Sequence, residues 1–212
     1  MPNWCSTKYV VFTDNDDKTE LKRLFDNLTT AITTPSGVDN GFGTGWLGDV
    51  AIKHGFDWET YPCRGTIEHM DEYDPDSNHF SFDTETVWGP CYELWEAIIE
   101  QYEGVSHVFL SEEPGCCYFV NTDNEGRFLP EQYLLELYGN APVPDEWYES
   151  HQTKPSCLDI REYFSSFDEL IDYCTSIIGH EFSSIEELHE YFNSVFDEDA
   201  NVIANIREFE AA

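Results

Sequence analysis

Asp83 and Glu85 stand two residues apart in Ser81-Phe82-Asp83-Thr84-Glu85-Thr86-Val87-Trp88-Gly89-Pro90, after an alternation of apolar and polar residues. On one strand both carboxylates project from the same face, their α-carbons roughly 7 Å apart. Paired oxygen ligands suit Mg²⁺, which can align a phosphoryl transfer. A metal-dependent nuclease using Asp83 and Glu85 is therefore one expectation.

Other chemistry-bearing residues are more scattered. Seven cysteines contain no C-x-x-C pair, so neither a disulfide framework nor a zinc knuckle is indicated, and buried free thiols are expected. Cys116 and Cys117 would face opposite ways on a strand. His54, His69, His79 and His107 could gather near Cys63 or Cys91, but no pair has metal-ligand spacing. A Cys-His nucleophilic pair would have to meet in space rather than in sequence. Trp46, Trp88 and Trp95 read as core and interface aromatics. No cofactor is implied.

Charge dominates the composition: 43 Asp plus Glu against 10 Lys plus Arg, a net of −33 over 212 residues. Spread evenly over about 10,000 Å² of surface, that is one charge per roughly 300 Å², sparser than duplex DNA at roughly 100 Å². Charges so far apart are screened at a Debye length of about 8 Å. An even spread serves solubility or high salt, whereas clustering on one face would make a recognition device. Direct nucleic-acid binding is disfavoured, because phosphate contacts need Lys and Arg. With 41% hydrophobic residues the chain can fold. It has no bilayer-length apolar run, and Met1 to Cys5 lacks the pattern of a signal peptide. A cytoplasmic protein without membrane contact is expected.

The elements that must position these residues follow from periodicity. Trp4 to Thr13 reads as a strand, and Leu21, Leu24, Phe25, Leu28 and Ile32 recur at helical spacing over Asp16 to Thr33. A glycine-rich loop, Pro35 to Gly45, precedes a short helix over Trp46 to His54. Arg64 to Tyr73 and His79 to Thr86 pair as strands about the turn Asp74-Pro75-Asp76-Ser77. Pro90 suits the first turn of a helix bearing Leu94, Trp95, Ile98, Ile99 and Tyr102. Strands over Val105 to Leu110 and Cys116 to Asn121 complete an α+β plan: a ferredoxin-like split βαβ domain with extra strands over residues 1 to 139.

Residues 140 to 155 read as a linker. A small acidic helical tail over residues 156 to 212 carries a near-repeat offset by 18 residues: Phe164 to Leu170 with Tyr173, then Phe182 to Leu188 with Tyr191. Each copy contains a capping box, Ser166 with Glu169 and Ser184 with Glu187. Phe167, Leu170, Ile171, Cys174 and Ile178 form one apolar stripe; Ile185, Leu188, Phe192, Val195 and Phe196 form the other. A helical hairpin broken near Gly179 is expected. Its acids Asp168, Glu169, Asp172, Glu186, Glu187, Glu190, Asp197, Glu198 and Asp199 are the candidate partner-binding face.

Three segments together resemble the YubB-type ferredoxin-like family of plasmid, phage and conjugative-element proteins. They are the start Met1-Pro2-Asn3-Trp4-Cys5, the stretch Phe80 to Pro90 with Thr86, Trp88 and Pro90, and the turn Glu112-Glu113-Pro114-Gly115. The resemblance implies the fold above for residues 1 to 139 and a setting on a mobile genetic element. It does not need Asp83 or Glu85. The D-x-E match is also similar to the first metal strand of proofreading exonucleases, which further need two aspartates and a His or Tyr on a late helix. Here His151 precedes Asp159 by eight residues, and Asp123 and Asp159 are two among many acids.

The expected function is that of a non-enzymatic acidic accessory protein of a mobile element. It would be an anti-defence inhibitor of the anti-CRISPR or anti-restriction type, occupying the basic surface of a host nucleic-acid-binding protein as a charge mimic. The alternatives are the nuclease and a structural or assembly protein.

Overall fold

The computed structural model describes residues 3–139, 158–178, 180–196 and 202–211. The chain is a mixed α+β protein, with two sheets and five α-helices among the described residues. It divides into two units, residues 1–124 with 211–212, and residues 125–210.

In the first unit the elements run β1 (Trp4–Thr13), α1 (Thr19–Thr33), α2 (Leu47–Lys53), β2 (Gly65–Met70), β3 (His79–Val87), α3 (Tyr92–Ile99), β4 (Val105–Glu113), a 3-10 turn (Pro114–Cys116) and β5 (Tyr118–Asn121). The sheet order is β2-β3-β1-β4-β5, with the two-residue β9 (Glu210–Ala211) beyond β5. Each of the four pairings from β2 to β5 is antiparallel. Alternation decides the faces. Phe80, Phe82, Thr84 and Thr86 of β3 are buried, while Ser81, Asp83 and Glu85 are half-buried on the other side. The buried face meets Leu21, Leu24 and Leu28 of α1 and Leu94, Trp95 and Ile98 of α3. Tyr9 stacks on Phe82 at 5.1 Å between ring centroids, and Phe82 lies 4.6 Å from Trp95.

The expected hairpin from β2 to β3 forms, with the Asp74 carboxylate accepting from the Asp76 amide at 2.8 Å. Two local readings change. Pro90 lies before α3, whose N-cap is Cys91 in a left-handed conformation. Cys116 and Cys117 lie on no strand and are exposed, because the Glu113 carboxylate accepts from the amides of Gly115 and Cys116 and curls the chain. Cys5, Cys63, Cys91 and Cys174 are buried free thiols as expected.

His54 anchors α2 through a buried network. Its Nδ1 lies 2.7 Å from the Val50 carbonyl and its Nε2 2.8 Å from the Tyr102 hydroxyl, which accepts from Asn27 Nδ2 at 2.8 Å. That pattern fits a neutral ring, with Nδ1 donating to Val50 and Tyr102 donating to Nε2. Burial lowers the His54 pKa from its usual value, and burial does the same at His107. The unfolded chain then binds these protons first. Stability is whole above about pH 6.5 and falls as the pH drops below it, by about 1.4 kcal/mol per pH unit for each proton at most. Urea titrations between pH 7.5 and 5 should show this decline, reduced in His54→Gln.

In the second unit β6 (Tyr133–Gly139) is the central strand of a three-stranded antiparallel sheet, ordered β7-β6-β8, with β7 (Leu158–Phe164) and β8 (Val202–Glu208) at its edges. Between β7 and β8 come α4 (Phe167–Ile178) and α5 (Ile185–Val195). Their stripes, Leu170, Cys174 and Ile178 on one and Leu188 and Phe192 on the other, close over Leu135, Leu137, Phe164 and Ile206. The acidic helical tail expected over 156–212 is therefore corrected to an α+β unit with strands beside the two helices. The domain boundary expected at 139 moves to 124, because β6 gives its leucines to this second core. The linker expected at 140–155 and the break at Gly179 lie outside the described residues.

Both repeats begin with reciprocal caps. Ser184 Oγ accepts from the Glu187 amide at 3.2 Å, and Ser166 Oγ from the Glu169 amide at 3.2 Å. The glutamates reach back one residue further than in the usual box, to the amides and hydroxyls of Ser183 and Ser165. Ser184→Ala is expected to cost about 1 kcal/mol of stability, read as a lower urea midpoint with an unchanged slope.

Candidate functional site

The half-buried face of the first sheet puts Asp83 and Glu85 on one side of β3, as alternation requires. The register places Lys8 of β1 and His69 of β2 opposite Asp83, and Ser6 and Thr66 opposite Glu85. Asp83 thus faces a lysine across the strand, an arrangement that cross-strand charge pairing explains without a metal. A lysine at the neighbouring register position also adds positive charge to this face, which opposes a divalent cation. Among the described residues no group of three or more His, Cys, Asp or Glu side chains is placed to hold a metal ion. Asp159, a candidate further ligand, lies on β7 of the second unit.

Nucleophilic chemistry finds no activated thiol at the buried cysteines. Burial pushes Cys63 up to about 11 and Cys91 up to about 12, so both are protonated at neutral pH. Both ring nitrogens of His54 are engaged in the network around Tyr102 and Val50.

The three motif segments meet at one end of the first sheet. The Trp88 amide donates to the Asn3 carbonyl at 3.1 Å, and Asn3 Nδ2 lies 3.7 Å from Cys116 Sγ. Thr86 Oγ1 donates to the Gly89 carbonyl at 2.6 Å, tightening the turn, and Tyr9 donates to the Pro90 carbonyl. A Cβ on Gly115 would sit 2.3 Å from Asn3 Nδ2, so a larger residue there would displace the Asn3 side chain. Among the described residues Trp88, Cys91 and Cys117 are those other than glycine with positive φ, and all lie in or beside these turns. Trp95 and Trp46 are buried as expected. Trp88 is not, being 54% exposed, because its left-handed backbone turns it off the strand.

The acidic candidates belong to the second unit, where 20 Asp plus Glu oppose 4 Lys plus Arg. Asp168, Glu169, Asp172, Glu186 and Glu190 are exposed and Glu187 is half-buried. Helix physics accounts for part of the set. Asp168, Glu169, Glu186 and Glu187 occupy first turns, where the helix dipole favours negative charge. Glu169 and Glu187 are also spent on capping. The Ser165 hydroxyl and amide hold Glu169 below the usual carboxylate range, and the Ser183 amide and hydroxyl do so for Glu187. Glu186 is lowered by its own amide and by the Ser184 hydroxyl. Asp172 and Glu190 lie beyond the first turn, each four residues after another acid, and like charges at that spacing oppose each other. Among the described residues neither forms an ion pair with Lys or Arg, whereas Arg161 lies 3.4 Å from Glu136. Asp197, Glu198 and Asp199 lie outside the described residues.

Comparison with protein-family models, curated proteins and solved structures finds no match to this chain.

Proposed function

We propose that this chain is a non-enzymatic acidic accessory protein of a mobile genetic element. Its second unit would present carboxylates to the basic surface of a host nucleic-acid-binding protein, in place of a phosphate backbone, as an anti-restriction or anti-CRISPR inhibitor does. The observation that carries this reading is the pair of acidic steps Asp168 with Asp172 and Glu186 with Glu190. They are exposed, unneutralised by Lys or Arg among the described residues, and held on helices fixed by a packed sheet. A surface selected for stability alone gains nothing from the like-charge steps. A rigid scaffold lowers the ordering cost of presenting them to a partner.

The first unit supports the family reading. Its antiparallel order β2-β3-β1-β4, extended by β5, with helices joining β1 to β2 and β3 to β4, supports the reading of a ferredoxin-like split βαβ domain. The meeting of the Asn3, Thr86 to Pro90 and Glu113 to Gly115 segments in one bracket supports the YubB-type resemblance. The free thiols fit a reducing cytoplasm. Among the described residues no helix is long and apolar enough to cross a membrane.

The test is affinity capture from host lysate at low salt, followed by elution with duplex DNA. A basic nucleic-acid-binding protein released by DNA supports the proposal. Capture of no such protein overturns it and leaves the structural or assembly role.

A further inference from the structure

An open cleft of about 540 Å³ lies beside the glycine-rich loop of the first unit. Its walls include Phe42, Trp46, Trp58 and Tyr61, with the carboxylates of Asp39 and Glu59 among its lining. From this arrangement we infer a binding site for a small organic cation, an alkylated ammonium group seated among aromatic rings.

The walls are built in advance. The indoles of Trp46 and Trp58 meet edge to face, 5.2 Å between centroids at 66°, and so form a corner rather than a flat stack. Tyr61 is braced in the same manner by Phe56, at 5.1 Å and 61°. Trp46 is bridged to Thr66 of β2, and its ring lies over Gly48, where a Cβ would come within 2.2 Å of it. Gly45, with φ of 81°, holds the loop end against the Ile67 amide, its carbonyl accepting at 2.8 Å. On the loop itself the Asn40 carboxamide accepts from the Phe42 and Gly43 amides, setting the position of Phe42.

The chemistry of the occupant follows from charge and ring electronics. Aromatic faces carry negative potential and attract cations within about 6 Å, most strongly for Trp. Asp39 and Glu59 add two negative charges, and residues 1–124 carry 23 acids against 6 Lys plus Arg. A nucleobase would also stack on such rings, but the phosphates that accompany it would meet that negative field. Arg64, also in the lining, is the opposing group, and it supplies a test of sign. The site lies wholly in the first unit and does not rest on the proposed function.

The test is titration of the full chain, followed by indole fluorescence, with choline and with its uncharged isostere 3,3-dimethylbutan-1-ol. Choline should bind at least about tenfold more tightly than the alcohol. The exposed Glu59→Gln substitution should weaken choline several-fold, Arg64→Gln should strengthen it, and Trp58→Leu should abolish it with unchanged circular dichroism. A trimethyl-lysine peptide run in parallel separates the sources: tighter peptide binding assigns a modified protein tail, and tighter choline binding a free metabolite. Equal binding of the alcohol, weakening by Arg64→Gln, or no choline response at tens of millimolar each overturns the inference.

Discussion

Phe192→Ala is expected to cost the second unit about 3–5 kcal/mol, the usual loss for truncating a buried phenylalanine. Phe192 is 1% exposed, and its neighbours in the second core include Leu135, Leu137 and Ile206. Stabilities of small domains start near 5 kcal/mol, so the substitution should remove most of what holds this unit together. Hydrogen exchange reads the outcome residue by residue. Amides of β6, from Tyr133 to Gly139, should lose protection together with those of α5, because one core joins them. Were α4 and α5 a free-standing hairpin, the strand would keep its protection, and a single core shared by β6 and α5 would be ruled out.

Neutralising Asp168, Asp172, Glu186 and Glu190 to Asn or Gln is the second large effect, and it acts on encounter rather than on fold. The four side chains are exposed and none is in the hydrophobic core, so far-ultraviolet circular dichroism should be unchanged. Complementary fields raise association rates by about 10- to 1,000-fold, and that gain is what the substitutions remove. Measured against the captured basic partner, the association rate should fall within that range at low salt, while dissociation changes less. At 0.5 M salt the parent and the variant should converge, since screening erases the difference between them. An equal association rate at low salt would show that these acids solubilise the protein and do not steer it.

Much of the first unit is legible in its sequence, because its periodicities are clean. Of the helical stripe, Leu21, Leu24 and Leu28 are buried and Phe25 and Ile32 half-buried against the same core, and Phe80 and Phe82 alternate inward along β3. The second sheet was hidden for a physical reason. β7 interleaves Asp159, Arg161 and Glu162 with its apolar residues, and β8 carries Asn205, Arg207 and Glu208, so neither strand reads as a hydrophobic run. β6 is richer in leucine, but its pairing partners lie far along the chain, where local pattern gives no hint. The capping serines were readable because their chemistry is local. The aromatic cleft was not, since Phe42, Trp46, Trp58 and Tyr61 share no spacing and meet only through the loop; a hint lay in four aromatics beside a run of glycines. The exposure of Trp88 was not legible, because nothing in Val87-Trp88-Gly89 announces a left-handed tryptophan.

The pairing of β6 with β8 also sets an order of events in time. Residues 133–139 leave the ribosome on the order of 70 residues before the strand that completes them, so the central strand of that sheet emerges before both neighbours. Until then Leu134, Leu135 and Leu137, each fully buried in the finished unit, stand uncovered on a strand with open edges. That interval is where chaperones or aggregation would act on the nascent chain, and the surrounding negative charge keeps such intermediates apart.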